Sequence, residues 1–249
     1  MVGEVELNIS SICLSIVLPC YNEADNLPLL LAGYRQVWPD WPAELILVDN
    51  GSTDHTAAVL ARELQRPDLA FARTVQVAVN QGYGHGIYTG LQAAQGEFIG
   101  FSHADMQCSP ADLFRAYEQL SAQPDPPRTL VKGKRTGREF GASVVTHGMA
   151  LLASTILWTS LTDINAQPKL FHRSHLARLT HPPQGFQFDL YVLYQARRAR
   201  LKILTIPVEF GQRAHGQSKW AFSILSRYRT IWATIVYMFQ LRLKAANET

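Results

Sequence analysis

Four short apolar runs lie in the first 101 residues, and each leads into a polar loop followed by a helix signature. The runs are Ile12–Leu18, Glu44–Asp49, Thr74–Val79 and Glu97–Phe101. The second is apolar through its middle without alternation, the pattern of a strand covered on both faces. Between the first two, Leu27, Leu30, Leu31 and Tyr34 recur at helical spacing. Asn22 or Asp25 offers a cap, Pro28 sits early, and Pro39 and Pro42 end the run. A second helix follows Asn50–Asp54 through Leu60 and Leu64, and a third ends near Gly96. This alternation predicts an α/β fold: a doubly wound, mostly parallel sheet with right-handed crossovers and flanking helices. The C-terminal strand ends then share one side. Tyr21, Glu23, Asp49, Asn80 and Asp105 fall along that rim, where open α/β sheets bind ligands.

The last run opens onto Ser102-His103-Ala104-Asp105-Met106-Gln107. Asp105 and Gln107 are hard oxygen donors two residues apart, suited to Mg²⁺ or Mn²⁺ carried in on a phosphate. The same stretch also reads as a polar loop leading into a helix capped by Ser109, with Pro110 in its first turn. The glycines at 82, 84 and 86 match neither the dinucleotide fingerprint nor the P-loop, so they read as backbone permissiveness at a helix start.

At 249 residues, with 47% hydrophobic and 17% charged composition, the chain is long enough to bury a full core. Cys13, Cys20 and Cys108 lack metal-site spacing; Cys13 and Cys20 read as small core or edge residues, and a reducing cytoplasm is expected. The N-terminus, Met1 to Glu6, is acidic and shows no signal-peptide pattern. Charge is divided along the chain. Residues 1–125 hold 5 Lys+Arg against 15 Asp+Glu, or −10, and residues 126–249 hold 18 against 5, or +13. The acidic half suits a metal and polar substrate groups; the basic half suits phosphates or an anionic membrane. Nucleic acid is not among the expected partners. No apolar run reaches the length of about 18 residues needed to span a bilayer. Residues 231–240 are aromatic and flanked by Arg227, Arg229, Arg242 and Lys244. They fit a helix in a membrane interface or one packed on the core.

Past residue 128 the pattern changes. Thr129–Val131 starts a strand with a basic tail through Lys132, Lys134, Arg135 and Arg138, and helical residues follow to about 160. Residues 161–171 read as a polar loop returning to an apolar edge. Phe186–Arg200 is helical with Asp189 near its start. Leu201–Val208 is a strand whose Pro207 predicts an edge or terminal position. Residues 211–219 form a polar loop.

These segments resemble family 2 glycosyltransferases of the GT-A fold, in particular the dolichyl- and polyprenyl-phosphate sugar transferases. Pro19-Cys20-Tyr21-Asn22-Glu23 resembles the family's opening segment, and Val48-Asp49-Asn50-Gly51-Ser52-Thr53-Asp54 its second. Asn80-Gln81-Gly82 with Gly96-Glu97 is similar to the stretch before the metal motif. His103-Ala104-Asp105-Met106-Gln107 stands where the family has D-A-D-x-Q, and Arg213–Lys219 resembles its late basic loop. The resemblance implies that Pro19, Tyr21, Glu23 and Asp49 hold the nucleotide and that Asp105 and Gln107 bind the divalent metal. It implies that Arg135, Arg213 and Lys219 meet phosphates. Two positions depart from the family. Asn50 replaces an Asp, and His103 replaces the first Asp of the metal motif. The departure at 103 implies weaker metal affinity or contact of His103 with the nucleotide.

The implied reaction is inverting transfer of a sugar from a UDP- or GDP-sugar to a polyprenyl phosphate, with Asp105, Asp163, Arg213 and Lys219 as catalytic candidates. A lipid phosphate is already anionic and needs cations. A sugar or protein hydroxyl acceptor needs a base instead, with Asp163 and Asp189 as candidates. A nucleotide-binding scaffold without activity is the third reading. The expected organisation is a GT-A domain over residues 1–220 and a helical segment over 221–249, peripheral on the cytoplasmic membrane face.

Overall fold

The computed structural model describes residues 12–137, 140–209, 211 and 224–247. One seven-stranded sheet runs in the order β3-β2-β1-β4-β6-β5-β7. Its first half comprises β1 (Leu14–Cys20), β2 (Ala43–Asn50), β3 (Ala72–Val77) and β4 (Phe98–Phe101), paired in parallel. Helices α1 (Leu27–Val37), α2 (Thr56–Glu63) and α3 (Tyr83–Ala93) connect them, and α4 (Pro110–Ser121) follows β4.

The unbroken apolar runs follow from a core on each face. Val17, Ile46 and Val48 pack with Ile87 and Leu91 of α3 on one side. Ile16, Leu18, Leu45 and Leu47 pack with Leu27, Leu30 and Leu31 of α1 on the other. Neighbouring residues of one strand thus point into opposite cores. Each fully buried Leu or Ile contributes about 1.5–3 kcal/mol, so a polar residue in these runs is costly.

β1 continues through Pro19 to Cys20, two residues beyond its expected end at Leu18. β4 pairs with β1 only as far as Val17. Beyond that point Pro19 has β2 alone beside it, so its missing N–H breaks no ladder on the open side.

The second half contains β5 (Thr129–Thr136), α5 (Phe140–Leu157), β6 (Lys169–His172), α6 (Phe188–Arg198), β7 (Lys202–Glu209) and α7 (Ile224–Asn247). β7 is an edge strand, as Pro207 predicted. β6 corrects the expectation of a polar loop over 161–171 that returns to an apolar edge. It is a central strand, antiparallel to both β4 and β5. Leu170 and Phe171 enter the two opposite cores. The strand is four residues long and opens on a fully buried lysine, Lys169. That lysine is tolerated because Asp189 pairs with it.

The reversal has a positional consequence. Phe101 at the end of β4 lies opposite Lys169 at the start of β6. Residues 163–168 therefore emerge on the rim that carries His103 and Asp105. α7 packs along α5 and buries Met238 and Leu241. Among the described residues, no helix is long and apolar enough to cross a membrane. All three cysteines are free. Burial pushes the Cys108 thiol up to about 12 and the Cys20 thiol higher still, so both act as small core residues.

Candidate active site

The site is built on the loop after β4. The Ser102 N–H donates to the Val17 carbonyl (3.1 Å), and Ala104 is buried, which fixes the side chains between and beyond them. Met106 takes a left-handed conformation, φ 63°. Such a turn costs a non-glycine residue about 1–2 kcal/mol. It brings the Gln107 N–H to Asp105 Oδ1 (3.2 Å). Asp105 is buried. Gln107 donates from Nε2 to the Gly211 carbonyl (3.2 Å), and the Gly211 N–H donates to the Gln107 carbonyl (2.9 Å). Gly211 is thereby anchored beside the candidate metal ligands. Arg213 and Lys219 themselves lie outside the described residues.

His103, Asp105 and Gln107 open onto a cleft of about 250 Å³ that also takes in Arg135 and Asp189. Its other wall is formed by α5 and α7, with Val145 and Met149 from one and Ile231 and Met238 from the other. One side of the cleft is therefore charged, and the other mixes these apolar side chains with the hydroxyls of Thr146, Thr230 and Thr234. Tyr83, at the start of α3, stacks on Phe186 (5.5 Å between ring centroids, 23° between planes) and lies against the His103 ring (5.7 Å). The sequence reading did not single out Tyr83, Phe186 or the α7 wall.

Beneath the cleft lies a buried layer of charge. Arg135 donates to Asp163 from its backbone N–H (2.8 Å), from Nε (2.9 Å) and from Nη2. Burial works to raise the Asp163 pKa, but Arg135 outweighs it and holds the carboxyl below its usual range. Asp189 accepts from Lys169 Nζ and from Gln167 Nε2 (2.8 Å), and Gln167 also donates to the Tyr83 hydroxyl (3.2 Å). Both carboxylates proposed as bases are thus held by cations. Lys169 and Gln167 were missed from the sequence. The signal for them was a lysine opening an otherwise apolar run.

Pro19, Tyr21, Glu23 and Asp49 stand at the ends of β1 and β2 and do not belong to this cleft lining. They make a second section of the rim. Asp49 Oδ1 accepts from the Ser52 N–H (3.0 Å), and Asn22 Oδ1 accepts from the Thr53 N–H (2.9 Å), which ties the two loops together. Glu23 Oε2 accepts from Asn26 Nδ2 (2.5 Å). Asn50 donates from Nδ2 to the Gly82 carbonyl (3.0 Å). A side chain at Gly86 would lie 2.7 Å from the Asn50 amide, and Gly82 has φ 120° with Gln184 O 2.4 Å from where a Cβ would stand. These two glycines serve close packing, a more specific demand than general permissiveness at a helix start.

The donor set fits a divalent cation that arrives with a diphosphate. Asp105 supplies a carboxylate, Gln107 an amide oxygen and His103 an imidazole nitrogen. Among the described residues no cluster of three or more His, Cys, Asp or Glu side chains is arranged to hold a metal alone. Ions of the Mg²⁺ type are bound in this manner, through one or two protein groups plus substrate phosphates.

A sequence model of the family described as Glycosyl transferase family 2 matches residues 15–180. The undecaprenyl-phosphate 4-deoxy-4-formamido-L-arabinose transferase of Pectobacterium carotovorum subsp. carotovorum (strain PC1) is 28% identical over 214 residues, 84% of this chain. This chain spans 62% of the length of that relative. An uncharacterized glycosyltransferase of Mycobacterium bovis is 30% identical over 219 residues, covering 84% of this chain and 90% of that one. Among solved structures, glucosyl-3-phosphoglycerate synthase from Mycobacterium tuberculosis, in complex with Mn²⁺, UDP and glucosyl-3-phosphoglycerate, superposes with a TM-score of 0.70 at 21% identity. The match covers 93% of this chain and 80% of that one, and at this identity it establishes a shared fold.

Proposed function

This chain belongs to glycosyl transferase family 2, and from that premise we propose that it transfers a sugar from a UDP- or GDP-sugar to a polyprenyl phosphate with inversion at the sugar carbon. The observation that carries this reading is the state of the two candidate bases. Asp163 is held by Arg135, and Asp189 by Lys169 and Gln167. A hydroxyl acceptor requires a base to take its proton. A phosphate acceptor brings its own negative charge and requires cations, which the basic half of the chain supplies. The undecaprenyl-phosphate transferases among the relatives support the same acceptor class.

In this mechanism Pro19, Tyr21, Glu23 and Asp49 seat the nucleotide, and the diphosphate points toward Asp105 and Gln107. When bound, Mg²⁺ or Mn²⁺ neutralises charge on the departing diphosphate. The structural relative contains Mn²⁺ with UDP, which supports a divalent ion here. Asp105 and Gln107 would hold that ion, and the His103 ring lies against Tyr83. Arg213 and Lys219 complete the phosphate contacts from the segment tethered at Gly211. Arg135, oriented by Asp163, faces the acceptor phosphate and aligns it for in-line attack on the sugar carbon. Val145 and Met149 of α5 with Ile231 and Met238 of α7 receive the first isoprene units. In this reading the GT-A transferase domain covers residues 1–220, and α7 within the C-terminal stretch 221–249 closes the acceptor side. A polyprenyl phosphate resides in a bilayer, so the enzyme works peripherally on the cytoplasmic membrane face.

The test is a screen of UDP-, GDP- and CDP-sugars against a polyprenyl phosphate and against hydroxyl acceptors, with Mg²⁺ or Mn²⁺. Sugar–phosphate–prenyl product from one donor is the expected result. Product on a hydroxyl acceptor alone overturns the acceptor assignment, and no turnover with any donor leaves a nucleotide-binding scaffold.

A further inference from the structure

α7 is apolar on two opposite faces. One face buries Met238 and Leu241. The other carries Tyr228, Trp232, Val236, Phe239 and Leu243, which are 67%, 68%, 39%, 54% and 66% exposed. Their spacing places all five within an arc of about 80° on an α-helix and spreads them over roughly 22 Å. A continuous stripe of this kind differs from the single exposed apolar side chains of an ordinary surface.

The charges of α7 itself are of one sign. No Asp or Glu occurs from 224 to 247, and Arg229, Arg242 and Lys244 all lie on this helix. By helical spacing Arg229 and Arg242 border the stripe, one on each side. α5 contains no charged residue from 140 to 157. Its outer side adds Val144 and Leu151. Trp158, just past α5, is 79% exposed and lies under the Arg242 guanidinium at 4.4 Å.

We propose that this face, the outer side of α7 with the adjoining side of α5, docks flat on an anionic lipid leaflet. The stripe then lies at the acyl boundary, and the arginines lie among headgroup phosphates with their stems over the aromatic rings. Charge complementarity selects this occupant. Cations without acids are attracted to an anionic surface. A second copy of the chain meeting the same face would set these cations against one another with no acidic residue on either helix to offset them. Thr230, Ile231 and Thr234 of α7 line the cleft from the other side of the helix. Docking therefore places the cleft mouth about one helix diameter, roughly 10 Å, from the lipid. The purpose of the face rests on the lipid-acceptor reading; its existence can be tested separately.

The full chain is co-sedimented with vesicles of phosphatidylcholine, with and without phosphatidylglycerol. Binding to the anionic vesicles that weakens with salt is expected. Trp232→Ser with Phe239→Ser should lower it at least about tenfold, and Arg229→Gln about fivefold. The double variant should keep its circular dichroism, its UDP or GDP binding and its transfer to a short-chain, water-soluble prenyl phosphate. Absence of binding to anionic vesicles at low salt overturns the proposal. So does a dimer that the double variant splits while vesicle binding is unchanged. If no prenyl phosphate is a substrate but vesicle binding and its loss in the double variant persist, the acceptor reading fails and the docking face stands.

Discussion

Lys132 and Lys169 are direct partners across β5 and β6, and both are buried. Asp189 pairs with Lys169, while Lys132 Nζ donates to the carbonyl of Gly133 (3.0 Å). Burial, reinforced by the Lys169 charge, pushes Lys132 down to about 7 from 10.5. Between those values the unfolded chain binds the extra proton. Stability therefore rises as pH increases through this window and lies at its lower plateau below pH 7. Lys132→Met should stabilise the protein by about 1–3 kcal/mol at pH 7 and flatten that rise. Urea unfolding at pH 7 and pH 9 measures both effects; an unchanged slope in the variant contradicts the assignment.

His175 acts at the acid end. It is buried edge-on to Phe171 at 5.3 Å. Burial, with Arg178 nearby, lowers its pKa to about 4 from 6.5. The unfolded state takes up this proton first as pH falls. Stability is lost from pH 6.5 down toward pH 4, by about 3 kcal/mol in all. His175→Gln should remove most of that slope between pH 7 and pH 4.5, again by urea unfolding.

Asp163→Asn distinguishes the two acceptor classes. If Asp163 only orients Arg135, kcat falls roughly 10–100-fold through misplacement, and the pH profile keeps its shape. Arg135→Met should cost a similar factor. If Asp163 is instead a base for a hydroxyl, Asp163→Asn abolishes transfer while nucleotide binding survives. Steady-state rates across pH with both variants decide the matter.

His103 stands where the resemblance implies a carboxylate. His103→Asp should tighten Mg²⁺ binding in the presence of UDP by about tenfold, since a charged oxygen donor replaces a nitrogen donor better suited to transition metals. Titration calorimetry with Mg²⁺ and Mn²⁺ gives the comparison. Equal affinities in the parent and the variant place His103 outside the metal sphere. Asp105→Asn should weaken both ions.

Where structure is set locally, the sequence was readable. Leu27, Leu30, Leu31 and Tyr34 are all buried on α1, and the strand of residues 45–48 feeds two cores. Pro207 identified an edge. The legible part of the candidate site was its motif loops, because Asp105, Gln107, Asp49 and Glu23 lie within a few residues of their strand ends. What escaped depends on contacts between distant segments. Arg135 and Asp163 were each marked as functional, yet their mutual engagement arises only when 163–168 returns to the rim. Lys169 disguised β6, because the acid that pairs with it there, Asp189, belongs to a later helix. The α7 wall escaped for the same reason, since helical periodicity shows an apolar face and not what it covers.

The placement of β6 bears on how the chain is made. During synthesis β1 to β4 emerge first and can pair with one another, yet β4 is then an open edge. The strand that covers it is made only after α4, β5 and α5. Through that interval the nascent protein presents Phe98 to Phe101, an apolar strand with one unpaired side, to any other chain nearby. Residues 169–172 are thus the closing stitch of the sheet. Slowing translation just before them, or weakening them, should show first as aggregation of new chains rather than as altered catalysis by mature ones.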